Sequence, residues 1–212
     1  GSAGAGNGQF NGTNGPTALQ FDSAGNLWVS DGQNCRVQKF NSANVYQSQF
    51  GSCGGGNGQF NAIAGAGSVT INSTATEMVV TDSNNYRIQK FTTAGVYVSQ
   101  FGNISDYYGR VFIDASNVLY AWDPGNTLNN VIKKYNMNFV HQSTIGAYNL
   151  GQGKFATTVR GLTIDAQDNI YAADLEPYAD GDAITLKSAY PTGALLQNKK
   201  TGRSEERRVG KE

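Results

Sequence analysis

Short runs of alternating apolar and polar residues follow one another along the chain, separated by segments rich in Gly, Asn and Ser. In the first unit these runs are Ala18–Asp22, Leu27–Asp31, Arg36–Phe40 and Val45–Phe50. Their length and their content of Val, Phe, Tyr and Trp are typical of β-strands joined by turns. Because no window keeps the 3.6-residue periodicity of an amphipathic helix, the pattern predicts an all-β protein.

These strands belong to a repeat of about fifty residues. The motif GNGQFN at Gly6–Asn11 returns 50 residues later at Gly56–Asn61. RVQKF at Arg36–Phe40 returns 51 residues later as RIQKF at Arg87–Phe91. Two fainter copies follow, the third marked by VIKKY at Val131–Tyr135. Four units, each with four short strands, predict the blades of a β-propeller.

The pattern of a Gly-rich loop, a strand, V-x-D-x-x-N-x-R-I-Q-K-F and a hairpin ending in Phe-Gly resembles the NHL repeat. NHL propellers usually close with six blades, so the resemblance implies that the four visible units form an incomplete ring. We expect residues 1–202 to form this partial propeller. The expected blades cover about residues 17–51, 67–102, 110–146 and 160–197.

The last ten residues, Arg203–Glu212, read RSEERRVGKE and differ abruptly in composition from the rest. They resemble the translation of a short-read sequencing adapter, and the alternative is a natural charged tail. We interpret residues 203–212 as a non-native or disordered tail and leave them out of the predicted fold.

In an antiparallel blade, the turn after the second strand and the loop that enters the next blade lie at the same end, which we call the top face. The Gly-rich loops expected there are Gly4–Phe10, Gly54–Phe60 and Gly151–Phe155. Because loops that vary on a repeated scaffold usually carry function, we expect a ligand to bind this face. The candidate binding residues are Asn34, Arg36, Asn85, Arg87, Asp123 and Asp174.

The second strands end at Asp31, Asp82, Asp123 and Asp174. These carboxylates could form a ring around a central channel and hold a cation. Their regular recurrence favours another role, in which each accepts backbone N–H groups in an Asx-turn. Arg36 and Arg87 are then expected to pair with the aspartates or with neighbouring blades, and the alternative is that they present guanidinium groups to a ligand.

One acidic cluster does not recur between units. Glu176, Asp180 and Asp182 surround Gly181 in the turn of the fourth unit. Oxygen ligands around a glycine suit a Ca²⁺ loop, although the spacing differs from that of an EF-hand and an exposed acidic loop is the commoner explanation. We therefore expect no cofactor, with calcium as the alternative.

The two cysteines fall at the same end of the first blade. Cys35 begins the third strand, and Cys53 follows the fourth strand of that hairpin. Unit two has Tyr86 and Ile104 at the matching positions, which indicates two side chains in contact. We predict a disulfide, with two separately buried thiols as the alternative.

Several function classes are disfavoured by the residues. His141 is the only histidine and matches Tyr46 and Tyr97, so we expect it to pack rather than to bind zinc. The Gly-rich loops lack the Gly-Lys-Ser/Thr and the following helix of a phosphate cradle. The charges of sixteen basic and sixteen acidic residues cancel, so the chain has no net positive charge that would attract nucleic acid. No apolar stretch is long enough for a membrane-spanning helix.

We therefore expect a secreted or cell-surface binding scaffold rather than an enzyme, with a protein or glycan as its ligand. This expectation rests on the low charge, the abundance of Asn, Gly, Ser and Thr, and the predicted disulfide. Two alternatives stay open. One is an RNA-binding NHL propeller, and the other is a metal-dependent lyase or hydrolase whose ligands lie in blades beyond these four.

Overall fold

A computed structural model of the chain describes residues 2–13, 15–61, 67–102, 108–123 and 131–146, and five strands beyond residue 146. The first sheet contains β1 (Ala18–Phe21), β2 (Leu27–Asp31), β3 (Arg36–Phe40) and β4 (Tyr46–Phe50). A short parallel pair follows, formed by β5 (Ser52–Cys53) and β6 (Gln59–Phe60). The second sheet contains β7 (Val69–Ile71), β8 (Glu77–Asp82), β9 (Arg87–Thr92) and β10 (Tyr97–Phe101).

The third and fourth sheets repeat this arrangement. The third contains β11 (Val111–Ile113), β12 (Leu119–Asp123), β13 (Val131–Tyr135) and β14 (His141–Ile145). The fourth contains β15 (Thr158–Ile164), β16 (Ile170–Leu175), β17 (Ile184–Tyr190) and β18 (Gly193–Lys200). A two-residue strand, β19 (Arg203–Ser204), pairs with the end of β18. Residues 205–212 of the predicted tail lie outside the described residues.

Each sheet is an antiparallel meander in which consecutive strands are neighbours. The first strands of successive sheets lie side by side, because β1 contacts β7, β7 contacts β11 and β11 contacts β15. The four sheets are thus blades of a β-propeller, with the first strand of each blade innermost and the ring not closed. The predicted all-β fold with about four blades is confirmed.

Apolar side chains of neighbouring blades hold the first two blades together. Trp28 and Val37 on one face of blade one pack against Val69, Met78 and Phe91 of blade two. The aromatic ring of Phe50 lies 4.7 Å from that of Phe91. Because side chains alternate between the two faces of a strand, each blade needs a neighbour on both sides to bury its apolar residues.

The outer hairpins carry one recurring aromatic contact. The rings of Phe40 and Tyr46 meet edge to face at 6.1 Å, and Phe91 and Tyr97 repeat this contact at the same distance. In blade three, the Tyr135 and His141 rings meet at 5.6 Å. His141 takes the place of Tyr46 and Tyr97 in this contact, as the repeat predicts, although its side chain is exposed.

The two faces of the first blade differ in coverage. Leu19 and Phe21 of β1 are 63% and 57% exposed. Val69 and Ile71 of β7 are the equivalents of these residues, because they pair with the matching residues of the neighbouring strand. They are only 3% and 8% exposed, since blade one covers them. In the described part of the chain there is no helix that could cross a membrane.

Candidate functional site

The Gly-rich loops and the turns after the second strands lie together at the top face, as the repeat predicts. In the first two blades, the described part of this face comprises residues 2–13, 31–36, 51–61 and 82–87. Asn34 Nδ2 donates to the Gly4 carbonyl oxygen at 3.1 Å. Asn85 Nδ2 donates to the Gly54 carbonyl oxygen at 2.9 Å. The two asparagines therefore tie each turn to its loop.

Arg36 uses all five of its N–H donors, and three of them hold the first Gly-rich loop. Its Nε donates to Asp31 Oδ2 at 2.9 Å. The two Nη atoms donate to the carbonyl oxygens of Ala5, Gly6 and Gln9 and to the side-chain oxygen of Gln49. The predicted Arg–Asp pairing is confirmed. The buried guanidinium group also fixes the conformation of the loop at the top face.

Arg87 repeats the same set in blade two. Its Nε donates to Asp82 Oδ2 at 2.7 Å. Its Nη atoms donate to the carbonyl oxygens of Gly55, Gly56 and Gln59 and to Gln100 Oε1. A role of either arginine in ligand binding stays a prediction, and the geometry makes that role an indirect one, through the loop that the arginine positions.

The aspartates accept backbone N–H groups from the loops rather than from their own turns. Asp31 Oδ1 accepts the Asn11 N–H at 3.2 Å, and Asp82 Oδ1 accepts the Asn61 N–H at 2.9 Å. Neither carboxylate caps the 3₁₀ turn that follows it. The Asx-turn expectation for these two residues was therefore wrong, because the approach of the Gly-rich loop supplies the N–H groups from a distance.

In the third blade, a lysine instead of an arginine pairs with the buried aspartate. Val131 stands where the arginine stands in the first two blades, opposite the buried Asp123. Lys133, two residues further along β13, reaches back so that its Nζ lies 2.5 Å from Asp123 Oδ2. The carboxylate thus keeps a cationic partner, which a buried charge requires.

The remaining predicted residues are placed only in part. Asp174 lies on β16, where its Cα pairs with that of Thr185. Glu176, Asp180 and Asp182, the predicted calcium ligands, lie outside the described residues. Among the described residues there is no group of three or more His, Cys, Asp or Glu side chains that could hold a metal ion. Calcium binding stays a prediction.

A disulfide joins Cys35 to Cys53, with their Cα atoms 5.0 Å apart. Cys35 is fully buried, and Cys53 belongs to the exposed start of the second Gly-rich segment. The predicted bridge is present, and it fastens the loop that enters blade two to the turn of blade one. The parallel pairing of β5 with β6 folds the same loop on itself.

Glycine is required where the loops are tightest. Gly4 and Gly54 have φ angles of +147° and +149°, a conformation that L-residues rarely adopt. A Cβ atom at either position would overlap the side-chain oxygen of Gln9 or Gln59. Those oxygens accept the N–H groups of Gly6 and Gly56 at 2.9 Å, so both loops have one defined shape.

The surface that the first two blades present at this end is uncharged. Their described loops and turns contain four acidic or basic side chains, Asp31, Arg36, Asp82 and Arg87, and each is at most 7% exposed. In blade three, Arg110 stands half-buried at the start of β11 at the same end. The exposed residues of the loops and turns of the first two blades are Gly, Ala, Ser, Thr and Asn, together with Cys53 and Tyr86. Tyr86 is 40% exposed with a φ angle of +55°, which is rare for a bulky residue.

A cavity that sequence reasoning missed, called the lower cavity below, lies at the opposite end of the inner strands. It has a volume of about 260 Å³ and lies between the ends of β1, β7 and β11. Asp22, Asn72 and Asp114 line it, one from each blade. The recurring acidic or amide residue after each inner strand was visible in the sequence, but only the packing of three blades brings these residues to one cavity.

Asp22 at this cavity has a perturbed carboxyl group. Burial raises its pKa, but hydrogen bonds from Trp28 Nε1, the Asn26 side chain and the backbone N–H groups of Asn26 and Ala24 outweigh burial. The pKa of Asp22 therefore lies below its ordinary value. Trp28 Nε1 lies 3.0 Å from Asp22 Oδ2, which fixes a buried core residue to the turn.

Comparison with solved structures supports the fold. The nidogen chain of a nidogen/laminin complex superposes with a TM-score of 0.65 at 15% identity, over 88% of this chain and 65% of that chain. A catalytically inactive virginiamycin B lyase from Staphylococcus aureus with quinupristin gives 0.62 at 13% identity, over 90% and 58%. Hydrazine synthase from Kuenenia stuttgartiensis gives 0.61 at 8% identity, over 93% and 54%.

These similarities concern the fold, since the identities are far below those of functional relatives. The neighbours include NHL-type β-propeller proteins, and the four antiparallel sheets fit four propeller blades. The chain spans between 54% and 65% of the length of the three matched chains. No protein-family model and no curated protein sequence matches the chain.

Proposed function

We propose that this propeller is an extracellular or cell-surface binding scaffold that presents its top-face loops to a protein or glycan ligand. The observation that carries the proposal is the uncharged, firmly held surface that the loops of the first two blades form on that face. Its charged side chains are buried in ion pairs, and Gly, Asn, Ser, Thr and Tyr86 are left at the surface.

The composition of this surface suits molecular recognition. Tyr, Ser, Gly and Asn are enriched in antibody binding loops, where Tyr supplies contact area and the others supply adaptable hydrogen bonds. Here Tyr86 is exposed beside Asn85 and Asn61, whose side chains approach within 3.4 Å. An exposed aromatic ring with neighbouring amides can stack on a sugar or a peptide group and hydrogen-bond around it.

The rigidity of the loops adds to affinity. Binding to a mobile loop costs the free energy of ordering it, and a loop that is already fixed avoids this cost. The network around Arg36 and the matching one around Arg87 fix the loops before any ligand arrives. The scaffold therefore resembles a preorganised binding site rather than one that folds on its partner.

The proposed compartment rests on the disulfide and on one neighbour. Disulfides persist in oxidising compartments and are rare in the cytosol, and Cys35 is bonded to Cys53. The nidogen neighbour was solved in complex with laminin, so a propeller of this kind is used elsewhere to bind a protein. The disulfide favours secretion of this chain, and the nidogen neighbour favours a protein as its ligand.

Binding of the whole chain to an array of neutral and charged glycans and to a panel of matrix proteins that includes laminin tests the proposal. We expect at least one ligand whose affinity changes less than threefold between 0.05 and 0.2 M NaCl, because the described top-face loops of the first two blades offer no exposed charge. Single-stranded RNA is the comparison, since phosphate contacts give a steep salt dependence.

Three results would contradict the proposal. The first is RNA binding that weakens steeply with salt. The second is stoichiometric zinc in the purified chain together with lyase or hydrolase activity. The third is the absence of any ligand on the array and the panel. Free, alkylatable thiols at Cys35 and Cys53 in the native protein would contradict the extracellular part alone.

A further inference from the structure

The top face contains the tripeptide Asn11-Gly12-Thr13, and Asn-X-Thr is the acceptor motif for an N-linked glycan in secreted proteins. Two further Asn-X-Ser/Thr tripeptides begin at Asn72 and Asn103. A motif of three residues occurs often by chance, so the surroundings of each asparagine decide whether a glycan fits on the folded protein. Asn103 lies outside the described residues.

Asn72 has no room for a glycan. Its side chain is buried at 8% exposure. Its Oδ1 accepts the N–H groups of Thr76 and Glu77 at 2.9 and 3.1 Å, and its Nδ2 donates to Thr76 Oγ1 at 3.1 Å. A sugar on Nδ2 would have to displace this turn and open the wall of the lower cavity.

Asn11 is itself half-buried, but its surroundings are open. It belongs to the top face, and Gly12 and Thr13 beside it are exposed. The Thr13 N–H donates to Asn11 Oδ1 at 2.9 Å, which folds the tripeptide into an Asx-turn at the surface. The Asn11 backbone N–H is held by Asp31, so a glycan on the side chain would leave the loop anchored.

We propose that Asn11 is the acceptor of an N-linked glycan at the edge of the top face. In the transfer, Asn11 Nδ2 attacks the anomeric carbon of an oligosaccharide carried on a lipid diphosphate. A C–N bond forms, the C–O bond to the diphosphate breaks, the lipid diphosphate leaves with the electron pair, and one amide proton is released. The inference rests on the proposed extracellular role, because this transfer occurs in the secretory pathway.

The second blade offers an internal comparison. Asn61 is the repeat equivalent of Asn11, and its N–H is held by Asp82 in the same way. It is followed by Ala62 and Ile63, so the acceptor motif is missing there. A glycan would therefore stand at the first Gly-rich loop and leave the second loop, beside Tyr86, uncovered for the ligand.

Site-specific mass spectrometry of the whole chain, secreted from cultured mammalian cells behind a signal peptide, tests the inference. We expect the peptide with Asn11 to carry a glycan on most molecules and the peptide with Asn72 to be bare. Thr13→Ser should keep the glycan and Thr13→Ala should lose it. Thr13 is exposed and uses its backbone N–H in the Asx-turn, so both variants should fold and secrete alike.

An Asn11 peptide without glycan, in secreted protein whose Cys35–Cys53 bridge is formed, would overturn the inference and leave the binding proposal standing. A glycan at Asn72 with Asn11 bare would overturn it as well. Failure of the binding proposal has a separate readout, because ligand capture is measured on the Thr13→Ala chain and on the glycosylated chain alike. If Asn11 carries a glycan but neither chain binds a ligand, the glycan site stands and the binding proposal fails.

Discussion

Arg36 and Arg87 show how a single buried side chain determines the shape of an exposed loop. Each guanidinium group meets a carboxylate that is almost fully buried and three carbonyl oxygens of a Gly-rich loop. The carbonyl groups of such a loop have no strand partner, and the planar fork of arginine donates to several of them at once. In blade three, Lys133 takes over the ion pair with the buried carboxylate, since its Nζ lies 2.5 Å from Asp123 Oδ2.

Replacing Arg87 by Met should destabilise the chain by about 3–5 kcal/mol, because Asp82 is then left buried without a cation. Urea unfolding followed by tryptophan fluorescence measures the change. Lys39→Met is the matched control, since Lys39 lies over the Trp28 ring at 4.8 Å in a partly exposed contact that contributes about 0.5–1 kcal/mol. Equal losses in the two variants would contradict the role given to Arg87.

Asp22 should give the chain one acid-sensitive contact. Its pKa in the folded chain lies below the ordinary value because of the hydrogen bonds from Trp28 and Asn26. The ionised carboxylate therefore stabilises the fold above the unfolded pKa of about 3.9, and this contribution is lost as the pH falls through the folded pKa.

Asp22→Asn should lower the melting temperature at pH 6 and should approach the wild-type melting temperature near pH 2.5. Thermal unfolding between these pH values measures the difference. A melting temperature difference that stays constant across the range would show that the charge of Asp22 does not contribute.

The loop between the first two blades is the element that carries most of the structural constraint. The disulfide fastens its start to blade one, while Asn85 and Arg87 fasten its middle to blade two. Phe60 at its end packs against Phe50 and Phe91, with ring distances of 6.4 and 5.7 Å. The loop therefore acts as a connection between blades as well as a part of the binding surface.

The Cys35–Cys53 bridge should contribute roughly 3 kcal/mol, the value expected for closing a span of this length in the unfolded chain. Cys35→Ser combined with Cys53→Ser should lose this amount in urea unfolding. Reductant should lower the stability of the wild-type chain and leave the double variant unchanged. A wild-type chain whose stability does not respond to reductant would contradict the contribution assigned to the bridge.

The sequence predicted the elements well because their signals are local. The first-blade strands Leu27–Asp31 and Arg36–Phe40 match the structure residue for residue, since turn residues bound each run. The pairing of arginine with aspartate followed from their recurrence together. The three carbonyl partners of Arg36 did not, because they depend on how a loop some thirty residues earlier folds back.

Two other features could be recognised only from the strand register and packing of the folded blades. In an alignment of the repeats, Lys133 matches Gln38 and Gln89 and not the arginines, which stand two residues earlier. The alignment therefore does not reveal that Lys133 pairs with the aspartate in place of an arginine. The lower cavity needs three blades side by side. The predicted calcium ligands and the blade boundaries stay predictions.

At the scale of the whole molecule, the blades stabilise one another through their faces. Ile71 is buried because blade one covers it, while Phe21, its equivalent, is 57% exposed. Ile71→Ala should therefore cost about 2–5 kcal/mol, and Phe21→Ala should change the stability by about 0.5 kcal/mol or less. Urea unfolding of both variants measures this, and equal losses would contradict the blade arrangement.

The central claim, that the uncharged top-face surface of the first two blades binds the ligand, is tested most directly by comparing two exposed positions at opposite ends of the blades. Tyr86→Asn removes the aromatic ring and keeps a residue that tolerates a positive φ angle. Val96→Ser changes a hairpin tip that is 61% exposed at the other end of blade two.

Affinity for the strongest ligand of the glycan array or the matrix-protein panel is measured for both variants. We predict at least a tenfold loss for Tyr86→Asn and no change for Val96→Ser, with the melting temperatures of both close to wild type. A loss confined to Val96→Ser, with Tyr86→Asn binding normally, would contradict the claim and place the ligand at the opposite end of the propeller.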